Sequence, residues 1–166
     1  MQLTDRFWFN ALWFQANWFI CVLGREDWLP FTVLFLAMHF LLVDDPKTEL
    51  KRLFPVALLG IMVDTALTFL GVFEFDSVIT LPLWLIALWI VFATTIYRSL
   101  SKFGQNLWLA AITGSLLVPL NYLLGSRLGA VSLPLSESLT FLILMCTWGI
   151  LLPALYKISH ILKPNL

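Results

Sequence analysis

Residues 53–75 read LFPVALLGIMVDTALTFLGVFEF, and this stretch limits the possible folds more than any other. It is long and apolar enough to cross a bilayer as a helix, yet it carries one carboxylate, Asp64, at its midpoint. An ionised aspartate near the centre of a bilayer costs at least ~2.5–3.5 kcal/mol unless it is paired, solvated or protonated. The rest of the chain must therefore make a place for Asp64. On a helical wheel Gly60, Asp64, Thr68 and Gly71 fall within an arc of about 80°. Two glycines on the face of the acid let another helix or a ligand approach closely. Asp64 is thus expected to face the interior, with Gly60 and Gly71 as helix-packing positions.

The whole chain shares this character. It is 60% hydrophobic and 12% charged, whereas a soluble domain carries about 25% charged residues. The net charge is zero and there is no basic block, so nucleic acid is not an expected partner. Cys21 and Cys146 lie in apolar segments. They are too few for a disulfide framework or a zinc site, and read as polarizable packing residues. No metal and no cofactor is expected. Residues 7–23 could mimic a signal peptide, but no small-x-small cleavage site follows, and Gly24–Arg25–Glu26–Asp27 reads as a tight turn.

Apolar segments recur at about 7–23, 28–43, 53–73, 81–100, 107–124 and 137–156. They predict an all-α, polytopic membrane protein: a bundle of six transmembrane helices in a single domain over residues 1–166. In the first segment Asn10, Asn17 and Cys21 share a face, with Gln15 nearly opposite. Its two amides either hydrogen-bond the helix to the bundle or line a cavity with Asp64. The second segment is short, roughly 24 Å, and carries His39, a packing residue or a ligand-facing one. Asp45 followed by Pro46 reads as an N-cap with proline at the first helical position. Residues 47–52 then form an interfacial turn before the third segment. Tyr97 and Arg98 read as an interfacial anchor. In the fifth segment Ala110, Gly114, Asn121 and Gly125 make a small-residue face, with Gly114 and Gly125 at helix contacts, and Pro119 predicts a kink. Trp148 shares a face with Glu137 and Thr140.

Six spans would put both termini on one side. Arg6, Lys47, Lys51, Arg52, Arg98, Lys102, Lys157 and Lys163 then lie on that side, against Arg25 and Arg127 on the other. Eight against two predicts cytoplasmic termini. The opposite rim is acidic, with Glu26, Asp27, Glu74, Asp76 and Glu137. Asp64 lies near the midplane, with His39 roughly 5 Å to the cytoplasmic side of its own helix centre. The short connection between their segments makes these two helices expected neighbours. A hydrogen bond from His39 to Asp64 is one pairing; Asn17, at comparable depth, is a second candidate partner.

Several patches together resemble an uncharacterised family of small bacterial inner-membrane proteins, a domain of unknown function. They are Phe14–Gln15 with Trp18–Phe19 and 21–24 (CVLG); Gly60 with Asp64 and Gly71; Pro82 and Trp84 with Trp89 and Phe92; and Pro119 and Tyr122 with Gly125 and 128–130 (LGA). The resemblance spans nearly the whole chain and implies four to six spans in a bacterial inner membrane. In architecture, Gly60, Asp64 and Gly71 in a third span are also similar to the rod-shape-determining membrane subunit, and through it to the substrate-binding subunits of vitamin transporters.

No Walker loop, dinucleotide glycine pattern, G-x-S-x-G, H-E-x-x-H or C-x-x-C occurs. Three functions stay open. The first is binding or moving a small or lipid-like amphipathic ligand at a polar site of Asp64, His39, Asn17, Asn10, Thr68 and Asn121. The second is an intramembrane enzyme of lipid metabolism, with Asp64 as acid or base, His39 in support, and Ser115 or Thr68 as available hydroxyls. The third is a structural subunit whose glycine faces grip a membrane-protein partner. The first is the leading expectation.

Overall fold

The computed structural model describes residues 3–76 and 80–161; Lys163, part of the charge count above, lies outside them. Within the described residues the chain forms six α-helices: α1 (Phe7–Gly24), α2 (Leu29–Leu42), α3 (Pro46–Phe69), α4 (Leu83–Tyr97), α5 (Leu107–Arg127) and α6 (Glu137–Ile161). Short 3-10 turns at Leu3–Asp5 and Ser101–Gln105 precede α1 and α5. The helices α3, α5 and α6 are long and apolar enough to cross a membrane, while α2 and α4 are shorter apolar helices. The arrangement of side chains agrees with a lipid setting. Leu41 and Ile150 are 84% and 75% exposed, while Asn10, Asn17, Thr32, His39, Glu49 and Asp64 are buried. Polar groups inside and bulky apolar groups outside is the reverse of a water-soluble fold.

Cap chemistry sets the helix limits. Asp45 Oδ1 accepts from the amides of Lys47 and Thr48, both at 3.1 Å. The Thr48 hydroxyl, and then its amide, hold the Asp45 carboxyl below its ordinary range. The expected interfacial turn at 47–52 is corrected by this cap: it launches α3 at Pro46, and good helix formers carry the helix on without a break. At the other end α3 stops at Phe69. Gly71 takes φ +72°, its amide donates to Thr68 O, and the Val72 amide donates to Leu67 O. This is a Schellman stop. The expectation that Gly71 shares the Asp64 helix face is therefore corrected: it lies beyond the helix, with nothing within 4 Å of where a Cβ would sit. The same device, with Gly129 at φ +78°, closes α5.

The short helix α4 lies at the centre and packs against α1, α2, α3 and α6. Its residues are apolar all round, as suits a helix buried on most of its faces. The helices α5 and α6 form a tight hairpin. A Cβ on Gly114 would collide with the Trp148 carbonyl oxygen, and Gly149 faces the Ser115 hydroxyl. In lipid, such small-residue contacts let dispersion act at short range where the hydrophobic effect does not. Glu74 and Ser132 exchange backbone hydrogen bonds of 3.0 and 2.8 Å, tying the α3–α4 and α5–α6 connections together.

Gly114 and Gly125 should therefore respond differently to one added methyl. Gly114→Ala should cost about 1–3 kcal/mol by overpacking. Gly125→Ala, with open space at its Cβ, should be neutral or stabilising. Thermal unfolding of the detergent-solubilised variants checks this; equal losses at both sites would contradict the hairpin packing.

Candidate functional site

Asp64 is fully buried on α3. One turn earlier, Gly60 leaves a flat step on the helix, and the six-membered ring of Trp89 from α4 lies against it so closely that no Cβ would fit. That approach brings Trp89 Nε1 to 2.7 Å from Asp64 Oδ2. From α5, the Tyr122 hydroxyl lies 2.9 and 3.0 Å from Asp64 Oδ1 and Oδ2. An indole N–H can only donate, and the tyrosine O–H donates its single proton across the carboxyl. Asp64 thus ties α3, α4 and α5 together at one point, which answers the cost of burying it.

The rings held by these bonds form a wall. Trp89 stacks on Trp148 of α6 at 5.5 Å between centroids and 3° between planes. Tyr122 stacks on Phe73 at 4.9 Å and 6°. Phe92 meets both Trp89 and Trp148 edge-on. In front of this wall is a cavity of about 280 Å³, bordered by Phe14 and Trp18 of α1, Leu88 of α4 and Leu117 and Val118 of α5. It is half-open, and its lining is almost wholly apolar. The polar tips of Trp89 and Tyr122 turn to Asp64, so these two residues border the cavity with apolar parts of their rings.

A second polar cluster sits where the start of α3 meets the end of α4. His39 Nε2 lies 2.8 Å from Glu49 Oε1, and Arg98 Nη1 reaches the same oxygen at 2.7 Å. Arg98 Nε also lies 3.3 Å from Asp5. His39, Glu49 and Arg98 are all under one-tenth exposed. Beside them Asn10 donates to Thr94 Oγ1 and accepts from the amide and hydroxyl of Ser99.

The six residues expected to form one polar site are thus dispersed. His39 pairs with Glu49, not Asp64. Asn10 ties α1 to α4 and to the residues that follow it. Asn17 donates to Trp13 O of its own helix, and its Oδ1 is buried without a hydrogen-bond partner. Thr68 bonds back to the Asp64 carbonyl. Asn121 is exposed and bonds Leu117 O, although it borders the cavity. Among the glycines, Gly60 and Gly114 take close contacts, while Gly71 and Gly125 face open space. The residues that do meet Asp64, Trp89 and Tyr122, were not singled out for chemistry. Tyr122 follows Asn121 directly; both border the cavity, and it is the phenol rather than the amide that reaches Asp64.

The fold and this interior define the class: an all-helical protein of the membrane type, built around a buried carboxyl and an aromatic-walled cleft. Its family is shown by a model described as "Protein of unknown function (DUF2878)", which matches residues 7–154; the chain belongs to that family. No curated protein and no solved structure matches it.

Removing either donor should leave the buried carboxyl short of a partner. Trp89→Phe and Tyr122→Phe should each cost about 1–3 kcal/mol, and the double variant should depart from the sum because both act on one acceptor. Glu49→Gln should be more severe, about 3–5 kcal/mol, since it takes from Arg98 its buried counter-charge and leaves only the exposed Asp5 beside it. Unfolding in mixed micelles measures all four; strict additivity for the first pair would break the three-helix tie.

Proposed function

We propose that this protein is a six-span protein of the bacterial inner membrane, with both termini cytoplasmic, that binds or moves a lipid-like ligand in the aromatic cleft. The observation that carries the reading is the cleft itself: about 280 Å³, apolar, half-open and bordered by helices α1, α4, α5 and α6. An opening between membrane helices is wetted by acyl chains rather than water, and an apolar chain entering it exchanges lipid contacts for close aromatic packing. Asp64 acts through the wall. It fixes the depth and tilt of Trp89 and Tyr122 rather than touching the ligand.

Topology is supported by the basic residues, eight of which fall on the side of the termini and two on the other. The buried Arg98–Glu49 pair, with the exposed Asp5 beside it, sits at that same basic end. The reading of Asp64 and His39 as a catalytic pair loses its geometric support, because His39 is bound to Glu49. Thr68 and Ser115, the candidate hydroxyls, turn to a backbone carbonyl and to Gly149.

Photoactivatable acyl chains test the cleft directly. In proteoliposomes of the full chain, phospholipids with a diazirine in the tail should form adducts on Leu88, Leu117 and Val118. Val118→Trp should fill the cleft and remove the Leu88 adduct while the thermal transition stays. A Leu88 adduct that survives the filling tryptophan would end this reading. Reporter fusions at each terminus check orientation, and opposite orientations would rule out six spans.

A further inference from the structure

A second cavity, of about 260 Å³, adjoins the cleft at the end of the bundle where α1 turns into α2 and α3 connects to α4. It is lined by Arg25, Glu26, Asp27 and Asp76, and it shares Phe75, Trp84 and Ala130 with the apolar cleft. The two spaces are therefore neighbours that share one wall, the inner space apolar and the outer one charged. Their chemistry differs sharply across Trp84, whose ring meets Phe75 edge-on at 6.2 Å.

One charged wall is held in place. Glu26 Oε1 accepts from the Leu83 amide at 3.0 Å, which joins the α1–α2 turn to the first residue of α4. That carboxylate serves as a bracket for the chamber. Arg25, with its guanidinium close to Gly129 on the α5–α6 side, is an exposed cation, and Asp27 is an exposed anion in the same turn. A cation and an anion line one chamber at the mouth of an acyl-sized cleft.

We propose that the cleft and chamber together form a site for a glycerophospholipid with a zwitterionic aminoalkyl-phosphate head. The inference rests on the cleft reading above and adds the class of head. The phosphate takes Arg25, whose planar fork suits phosphate oxygens. The ammonium takes Asp27, on the acidic side of the chamber. The tail passes Trp84 into the aromatic cleft. A purely anionic head meets Asp27 and the further carboxylates of the chamber with like charge, so the site disfavours it.

The test uses full-length protein in proteoliposomes with equal mole fractions of two diazirine-tailed phospholipids. Their tails are identical, and their heads are aminoethyl phosphate or glyceryl phosphate. Adducts at Leu88 and Val118 should favour the aminoethyl head by about three- to fivefold, the ratio that one or two solvent-accessible ion pairs supply. Asp27→Asn should bring that ratio close to one, and Asp27→Lys should reverse it towards the anionic head, with the total of cleft adducts kept. Equal labelling by both heads, or a ratio indifferent to residue 27, overturns the head assignment and leaves the cleft reading standing. Absence of cleft adducts with either head overturns the cleft reading, and this inference with it.

Discussion

The contact between Trp89 and the step left by Gly60 governs the interior. Without a Cβ at position 60, the indole can come right up against α3 and bring its N–H to Asp64 at 2.7 Å. That single geometry sets the spacing of α3 and α4, and the stack of Trp89 on Trp148 carries it on to α6. Tyr122 adds α5 from the other side. A carboxyl that would be a liability in an isolated span thus becomes the point that four helices read for their depth.

Helices in lipid gain little from hiding apolar surface from one another, because the tails outside are as apolar as the core. Register must come from something directional or from steric fit. Here both occur, at separate depths. The Asp64 tie fixes the middle of α3, while Glu49 with His39 and Arg98 fixes its beginning against α2 and α4. Two ties on one rigid helix fix its rotation as well as its height. The Gly114–Trp148 contact does the same work by shape for α5 and α6. Breaking one buried charge partner is costly because the others stay in place and unscreened.

Much of this was visible in the sequence because membrane helices must be long and apolar and their polar residues must face inward. The inward turn of Asp64, the Asp45 cap and the close contact at Gly60 follow from local rules. The partners do not. His39 and Asp64 were natural mates by sequence order and depth, but α3 begins seven residues before the apolar run at 53, and that added length carries Glu49 to His39. Placing Gly71 on the Asp64 face requires a helix that runs past Phe69, where α3 in fact ends, because helical periodicity carries no sign of a left-handed glycine. Tyr122 was hidden for another reason: a tyrosine in an apolar segment reads as packing until another helix presents an acceptor to it.

The cleft follows from the same economy of contacts. Helix α1 packs on α2 and α4, α5 packs on α6, α6 packs on α3, and Tyr122 reaches across from α5 to Asp64. The side of α4 between α1 and α5 is then left without a helix to cover it, and aromatic rings cover it instead. Rings held at their polar ends by a carboxyl are stiff walls, and a stiff apolar wall facing lipid keeps its shape whether or not a chain lies against it. An ordinary lipid-facing surface of leucines repacks around any tail. Under the proposed reading, a fixed slot with a charged chamber at one end would select among tails and heads, which a patch of bundle surface would not.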